Sequence, residues 1–273
     1  GGVESMSRAP HYAMDLRVGR KLGDSALLDA IMADGLSDPV LKISMAETAE
    51  RIAEKFRITR EAQDAFALRS QERAAKCAAA FHREITAIQT KTGVVETDEH
   101  PRPDTTRQAL AQLKPVFREH GTVTAGNASG INDGVALVLL ADGKSCEKHG
   151  LMPRARIVAS CDVGCDPGMM GLGPIGAVQR VLEASGWDIN SVDAIEINEA
   201  FAAQTLACAQ ELKIPDERLN QRGGAIALGH PIGASGARVL VTLLHLMEDH
   251  DLKRGIASLC VGGGMGIAMA IER

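Results

Sequence analysis

The sequence predicts a layered α/β protein, and three of its features support that expectation. Short apolar runs alternate with amphipathic helical stretches through the second half, the pattern of helices packed against a sheet. The 273 residues are 45% hydrophobic and 24% charged, the composition of a chain that folds around a core. Glycine is frequent, 28 of 273, and gathers around the C-terminal elements, where turns and close backbone approach need it.

The first third reads as mostly helical. Ala49, Ile52, Ala53 and Phe56 fall at i, i+3, i+4 and i+7, one face of a helix. Thr59 then restarts a helix as its N-cap, with Glu61 in the first turn where negative charge suits the helix dipole. Pro101 and Pro103 make residues 98–107 a loop. Residues 135–140 are a continuous apolar run, expected as a strand buried on both faces. The chain turns polar over 141–153, which divides it into residues 1–142 and 150–273. Beyond that boundary residues 156–160 read as a strand. Pro174 opens a helix with Ile175, Val178, Val181 and Leu182 on one face, stopped by Gly186. Residues 194–197 form a strand and 199–212 a helix. A long helix starts near Ile232, its apolar stripe expected at Ala237, Leu240, Val241 and Leu244. Strands at 256–260 and 267–271 flank a glycine loop.

Several function classes are disfavoured at once. The 30 basic and 35 acidic side chains give a net charge of −5, no footprint for nucleic acid or an anionic membrane surface. Aromatic residues make up 3%, too few for a base-stacking platform. No apolar run approaches the ~18 residues of a membrane span. The six cysteines, at 77, 146, 161, 165, 208 and 260, form no CxxC pair and no zinc-like spacing, so no metal is expected. They read as reduced thiols in a cytoplasmic setting, with Cys77 in a helix and Cys161 and Cys165 in a loop. The chain opens on Gly1-Gly2-Val3-Glu4, which leaves an N-terminal targeting segment open.

Three segments combine reactive side chains with tight turns. Asn198-Glu199-Ala200-Phe201 follows a strand, so Asn198 stands at the C-terminal edge of a sheet, where α/β enzymes build sites. Its amide can donate to an oxygen or hold a water, or simply close a turn. His230 precedes Pro231 at a helix start, with five glycines between 223 and 236. A neutral imidazole there can take a proton from a thiol, although a lone histidine at such a place is as often structural. Cys260 ends a strand and is followed by Gly262, Gly263 and Gly264. A thiolate facing backbone amides is stabilised there, and a buried core cysteine beside a tight hairpin is the alternative. Position 267 is isoleucine and no helix follows, so the glycine run is not a dinucleotide loop, and no P-loop is present.

Together these segments resemble the thiolase family. Asn198-Glu199-Ala200-Phe201 resembles its NEAF element, and Gly229-His230-Pro231 with Gly233-Ala234-Ser235-Gly236 its GHP signature. Cys260 with its glycines resembles the C-terminal active-site motif. The likeness extends through Gly2-Val3-Glu4-Ser5-Met6-Ser7, Gln63-Asp64-Ala65-Phe66-Ala67 and Gly126-Asn127-Ala128-Ser129-Gly130. It implies a thiolase-like layered α/β/α/β/α fold, its first half incomplete, with an inserted, mostly helical loop domain. It also implies acyl exchange between coenzyme A thioesters, with coenzyme A and acetyl-CoA as substrates and no permanently bound cofactor. By the same likeness His230 is the base that activates a nucleophilic cysteine, and Cys260 is the second, proton-transferring cysteine. Asn198 holds a water in one oxyanion hole, and the Gly262 amide helps form another. Ala128 and Ser129 match pantetheine contacts, Arg102 an adenine contact, and Met45, Phe117, Met170 and Phe201 pocket lining. A homodimer or homotetramer and a place in fatty acid metabolism or β-oxidation follow from the same resemblance.

One departure bears on activity. The family's nucleophilic cysteine lies upstream of the element that opens this chain, and none of the six cysteines has its surroundings. The 273 residues are therefore expected to be inactive alone. Within the family, residues 4–10, 44–49 and 98–103 resemble 3-oxoadipyl-CoA thiolases, whereas 260–264 has the general form. A non-catalytic CoA-binding or oligomerising remnant is the reading from another class.

Overall fold

The computed structural model describes residues 1–273. The chain begins in a short strand, β1 (Gly2–Glu4), which pairs antiparallel with β2 (Gly134–Ala136), Val3 lying opposite Val135. Between them comes a largely helical excursion whose main elements are α1 (Met45–Phe56) and α2 (Arg60–Lys76). Both helices start where a hydroxyl caps them. Ser44 Oγ accepts the Glu47 amide at 3.1 Å, and Thr59 Oγ1 accepts the Ala62 amide at 3.2 Å. Ala49, Ile52 and Ala53 are buried as the spacing predicts, with Phe56 half-buried at the edge.

The run at 135–140 departs from expectation. Only Gly134–Ala136 is strand, and Val135, Leu137, Leu139 and Leu140 are 53%, 74%, 83% and 68% exposed. A ladder of two strands has one face covered here, so an apolar run that would be buried in a wider sheet stays open to solvent. The polar stretch at the expected boundary forms a short exposed helix, Gly143–His149, capped by Asp142.

The C-terminal half is built on four strands: β3 (Arg156–Gly164), β4 (Ala194–Ile197), β5 (Arg254–Val261) and β6 (Met265–Glu272). Their order is β3-β6-β5-β4, with β6 antiparallel to both neighbours and β4 parallel to β5. β3 runs four residues past the predicted end, because β6 pairs with it along its full length. Cys161 therefore sits in a strand opposite Ala268, not in a loop. α3 (Gly173–Ser185) and α4 (Ala202–Leu212) pack Val178, Val181 and Cys208 against Ile195, Ile197, Ile256 and Ala268 on one face. α4 starts three residues later than expected, since residues 198–201 stay extended to pair with other segments.

α5 (Ile232–Asp249) packs Val239, Leu243, Leu246 and Met247 against Ala194, Ala257 and Ile271 on the other face. The predicted stripe at Ala237, Leu240, Val241 and Leu244 is only half-buried. α5 lies between the four-stranded sheet and the β1–β2 ladder, so it is apolar almost all round, and periodicity alone does not choose its inner face. Its first turn is tied to the ladder by the Gly233 amide, which donates to Glu4 Oε2 at 3.1 Å. The layers thus run helices, sheet, helix, ladder. No helix is long and apolar enough to cross a membrane.

Candidate active site

Backbone pairing brings the three motif segments and the 127–130 loop together. The Asn198 amide donates to Ser258 O at 3.0 Å, one residue past the end of β4. Residues 127–129 then run alongside 200–202: the Ser129 amide donates to Ala200 O at 3.0 Å and the Ala202 amide to Asn127 O at 2.9 Å. Ala128 lies opposite Phe201. The His230 amide donates to Gly130 O at 3.2 Å, which sets the third segment beside the first two. Asn127 is fully buried and fixes the loop, its Nδ2 donating to Asp64 Oδ1 on α2 at 2.9 Å and to Thr122 O at 3.0 Å.

The imidazole of His230 is held at both nitrogens. Ser235 Oγ donates to Pro231 O at 2.9 Å, so it accepts from the ring Nδ1–H, 2.6 Å away. That assignment leaves Nε2 with its lone pair, 3.2 Å from Asn198 Nδ2, which donates to it. Burial, helped by the Arg238 guanidinium, pushes the ring down to about 4. His230 is thus a neutral base at physiological pH, with the basic nitrogen fixed by hydrogen bonds. Asn198 is 1% exposed and its Oδ1 has no protein partner, an acceptor left open next to that nitrogen.

Cys260 packs against an apolar cluster of Met45, Ala46, Met170, Ala200 and Phe201. Burial pushes its thiol up to about 12, so it holds its proton firmly and suits proton transfer better than attack. The chain turns from β5 into β6 through Gly263 and Gly264, at φ 85° and 90°. Side chains are strained in that left-handed region, which accounts for glycine at both places. Over the preceding Gly262 lies the Met45 thioether, its Cε 3.3 Å from where a Cβ would stand.

A cavity of about 680 Å³ opens beside these groups, within the usual size for a small-molecule site. Of the residues the sequence singles out, Met45, Arg102, Phe117, Ala128, Ser129, Phe201 and His230 line it. The remaining four sit one layer back, Asn198 against His230, Met170 and Cys260 in the Met45 cluster, and Gly262 under Met45. Sequence reasoning missed His100, Gln71 and Met6, which also line it. Gln71 joins the walls: its Oε1 accepts the Arg102 amide at 2.8 Å and its Nε2 donates to Ile226 O at 3.3 Å. Nothing in sequence marks a glutamine on a buried helix face, whereas His100 could have been flagged from its place two residues before Arg102.

Known proteins resemble this chain over its whole length. Residues 1–144 match the family description "Thiolase, N-terminal domain" and residues 151–273 "Thiolase, C-terminal domain". An acetyl-CoA acetyltransferase of Pseudomonas aeruginosa is 50% identical over 280 residues, covering 100% of this chain and 71% of that protein. A beta-ketoadipyl-CoA thiolase of the same organism is 49% identical over 289 residues, with the same coverage. The crystal structure of the Bacillus anthracis acetyl-CoA acetyltransferase superposes at a TM-score of 0.95 and 45% identity, covering 100% of this chain and 70% of that one. Human mitochondrial 3-ketoacyl-CoA thiolase in complex with CoA gives 0.94 at 41% identity, covering 99% and 69%. The motifs, the layered fold and these matches agree: the chain belongs to the thiolase family of enzymes.

Proposed function

We propose that the protein is an acyl-CoA:CoA acyltransferase that cleaves or forms a short 3-oxoacyl-CoA, with acetyl-CoA as one product or substrate. The observation that carries this reading is the His230–Asn198 pair beside a substrate-sized cavity, with a neutral imidazole whose Nε2 is basic. His230 takes the proton of an attacking thiol. The sulfur then adds to the 3-oxo carbonyl, and the carbon–carbon bond breaks as the two-carbon unit leaves as an enolate. Cys260 gives that enolate carbon a proton and later takes one from the incoming CoA thiol. Asn198 and the Gly262 amide stabilise the negative oxygens. Ala128, Ser129 and Arg102 hold the CoA arm, with Met45, Phe117, Met170 and Phe201 around the acyl end.

The relatives include both an acetyl-CoA acetyltransferase and a beta-ketoadipyl-CoA thiolase, so acetoacetyl-CoA and 3-oxoadipyl-CoA are the two substrates to compare. Six free thiols fit a reducing, cytoplasmic setting. A homodimer or homotetramer and two domains meeting near residues 143–149 complete the reading.

A second reading has its own support. None of the six cysteines lines the cavity, and the half-buried Cys260 holds its proton. These 273 residues by themselves then bind CoA without turnover, since acyl transfer needs an attacking thiolate. One experiment separates the readings: acetoacetyl-CoA or 3-oxoadipyl-CoA is mixed with CoA and the purified chain, and loss of enolate absorbance is followed. Calorimetry with CoA runs beside it. Binding without turnover supports the second reading; turnover with an acyl adduct on one of the six cysteines refutes it.

A further inference from the structure

Beside the catalytic pair stands a carboxylate to which the reaction gives no role. Glu199 is 1% exposed and meets only donors: Ser70 Oγ at 2.6 Å, Asn220 Nδ2 at 2.9 Å and the Ile226 amide at 3.2 Å. Three donors and no acceptor define a site for an ionised carboxylate. Burial raises its carboxyl above the ordinary value against the pull of these three donors and Arg238, and the neighbouring buried Glu196, with an oxygen that has no partner, is the better home for a proton.

Each donor belongs to a different part of the site. Ser70 lies on α2 and also accepts the Gly224 amide at 3.0 Å. Asn220 is locked to the end of β4, taking the Ile197 amide at 2.8 Å and giving Nδ2 to Ile197 O at 2.8 Å. Ile226 opens the short stretch that leads to His230. At 224 a Cβ would collide with the Glu199 carboxyl group, so the segment packs flat on it only as glycine. Glu199 itself is covalently next to Asn198.

We propose that Glu199 is a positioning residue, its carboxylate clamping the 220–226 segment and α2 onto the end of β4 so that His230 stays in register with Asn198. This rests on the reading of His230 and Asn198 as the catalytic pair. The clamp also explains why the helical excursion and the catalytic loops form one unit: the only side chain bonded to α2, to Asn220 and to Ile226 together adjoins Asn198. Glutamine has the same shape but cannot replace it, because its NH2 group must face either the Asn220 Nδ2 donor or the Ile226 amide.

The test uses the 273-residue chain with carbon-13 at histidine Cε1 and reads the titration of His230 by NMR. Wild-type His230 is expected to titrate near pH 4. In Glu199→Gln the ring loosens from its buried seat, and its midpoint rises by roughly one unit or more toward the ordinary value. Leu246→Ala, a core truncation near the end of α5 remote from His230, serves as the stability control and leaves the midpoint in place. Ser70→Ala removes a single donor and shifts the midpoint less, in the same direction; it stands in for Glu199→Gln if that variant does not fold. A lowered melting temperature with an unmoved His230 midpoint, in whichever variant folds, overturns the clamp. The catalytic reading fails by a different result, near-normal thiolysis by His230→Ala in an active form of the enzyme.

Discussion

Glu196 offers the sharpest test of the electrostatics behind the site. It lies on β4 on the face that carries Ala194 toward α5, is 1% exposed, and has one oxygen with no hydrogen-bond partner. Burial pushes its carboxyl up to about 8 from 4.5, with Glu199 and Glu84 adding to the rise and Arg238 and Arg222 opposing it. Between those two pH values the folded chain keeps a proton that the unfolded chain has lost. The sign follows by linkage: stability is full below the unfolded value and falls as pH rises toward the folded one. At about 1.4 kcal/mol per unit, the 3.5-unit window gives a ceiling of about 5 kcal/mol. Water penetration and relaxation bring the expected loss to about 2–5 kcal/mol.

Glu196→Gln removes the titration while keeping the shape. Urea unfolding of both chains, followed by circular dichroism at half-unit steps from pH 5 to 9, reads the difference directly. The variant is expected to gain on the wild type steadily from pH 5 to about pH 8 and to level off above it. All other titrating groups are shared, so they largely cancel in the difference. Two curves that run parallel from pH 5 to 9 would show that Glu196 is not held protonated, and would refute the reasoning.

The other expectations are briefer. His230→Ala and Cys260→Ala should each lower kcat of an active form of the enzyme by ~10²–10⁴, the range for a positioned acid or base, as measured by thiolysis of acetoacetyl-CoA. Ser235→Ala leaves the His230 Nδ1–H without its acceptor, and steady-state kinetics should show a fall in kcat with little change in KM for CoA. Gly263→Ala places a side chain at φ 85°, and thermal unfolding should show a loss of about 1–2 kcal/mol. The exposed Leu137, Leu139 and Leu140 should make the chain associate, so sedimentation velocity should show concentration-dependent species that Leu139→Lys/Leu140→Lys reduces.

Where a single local rule decides, the sequence was a good guide. Ser44 and Thr59 cap their helices, Gly186 ends α3 at φ 68°, and the strand at Ala194–Ile197 is where the apolar run places it. It was a poor guide wherever the partner element decides. Residues 135–140 carry the composition of a buried strand, yet burial depends on how many strands stand beside them, and only β1 does. The inner face of α5 depends on two sheets pulling on one apolar helix. β3 runs through Cys161 because β6 pairs with it, a fact encoded a hundred residues away.

The site divides along the same line. His230, Asn198 and Cys260 were legible because reactive side chains stand at turns, and turns leave local marks in glycine and proline. The groups that hold them in place were not. Glu199, Ser70, Asn220 and Gln71 look like ordinary polar residues on a helix or a loop, and their importance lies in hydrogen bonds that span 21 to 155 positions. A buried polar network is fixed only when every member has found its partner, so no window of sequence contains the information. Three short motifs are enough to point to His230, Asn198 and Cys260. The register that makes His230 and Asn198 a pair is set by residues outside them, and also by Glu199, which sits within a motif for a reason the motif does not reveal.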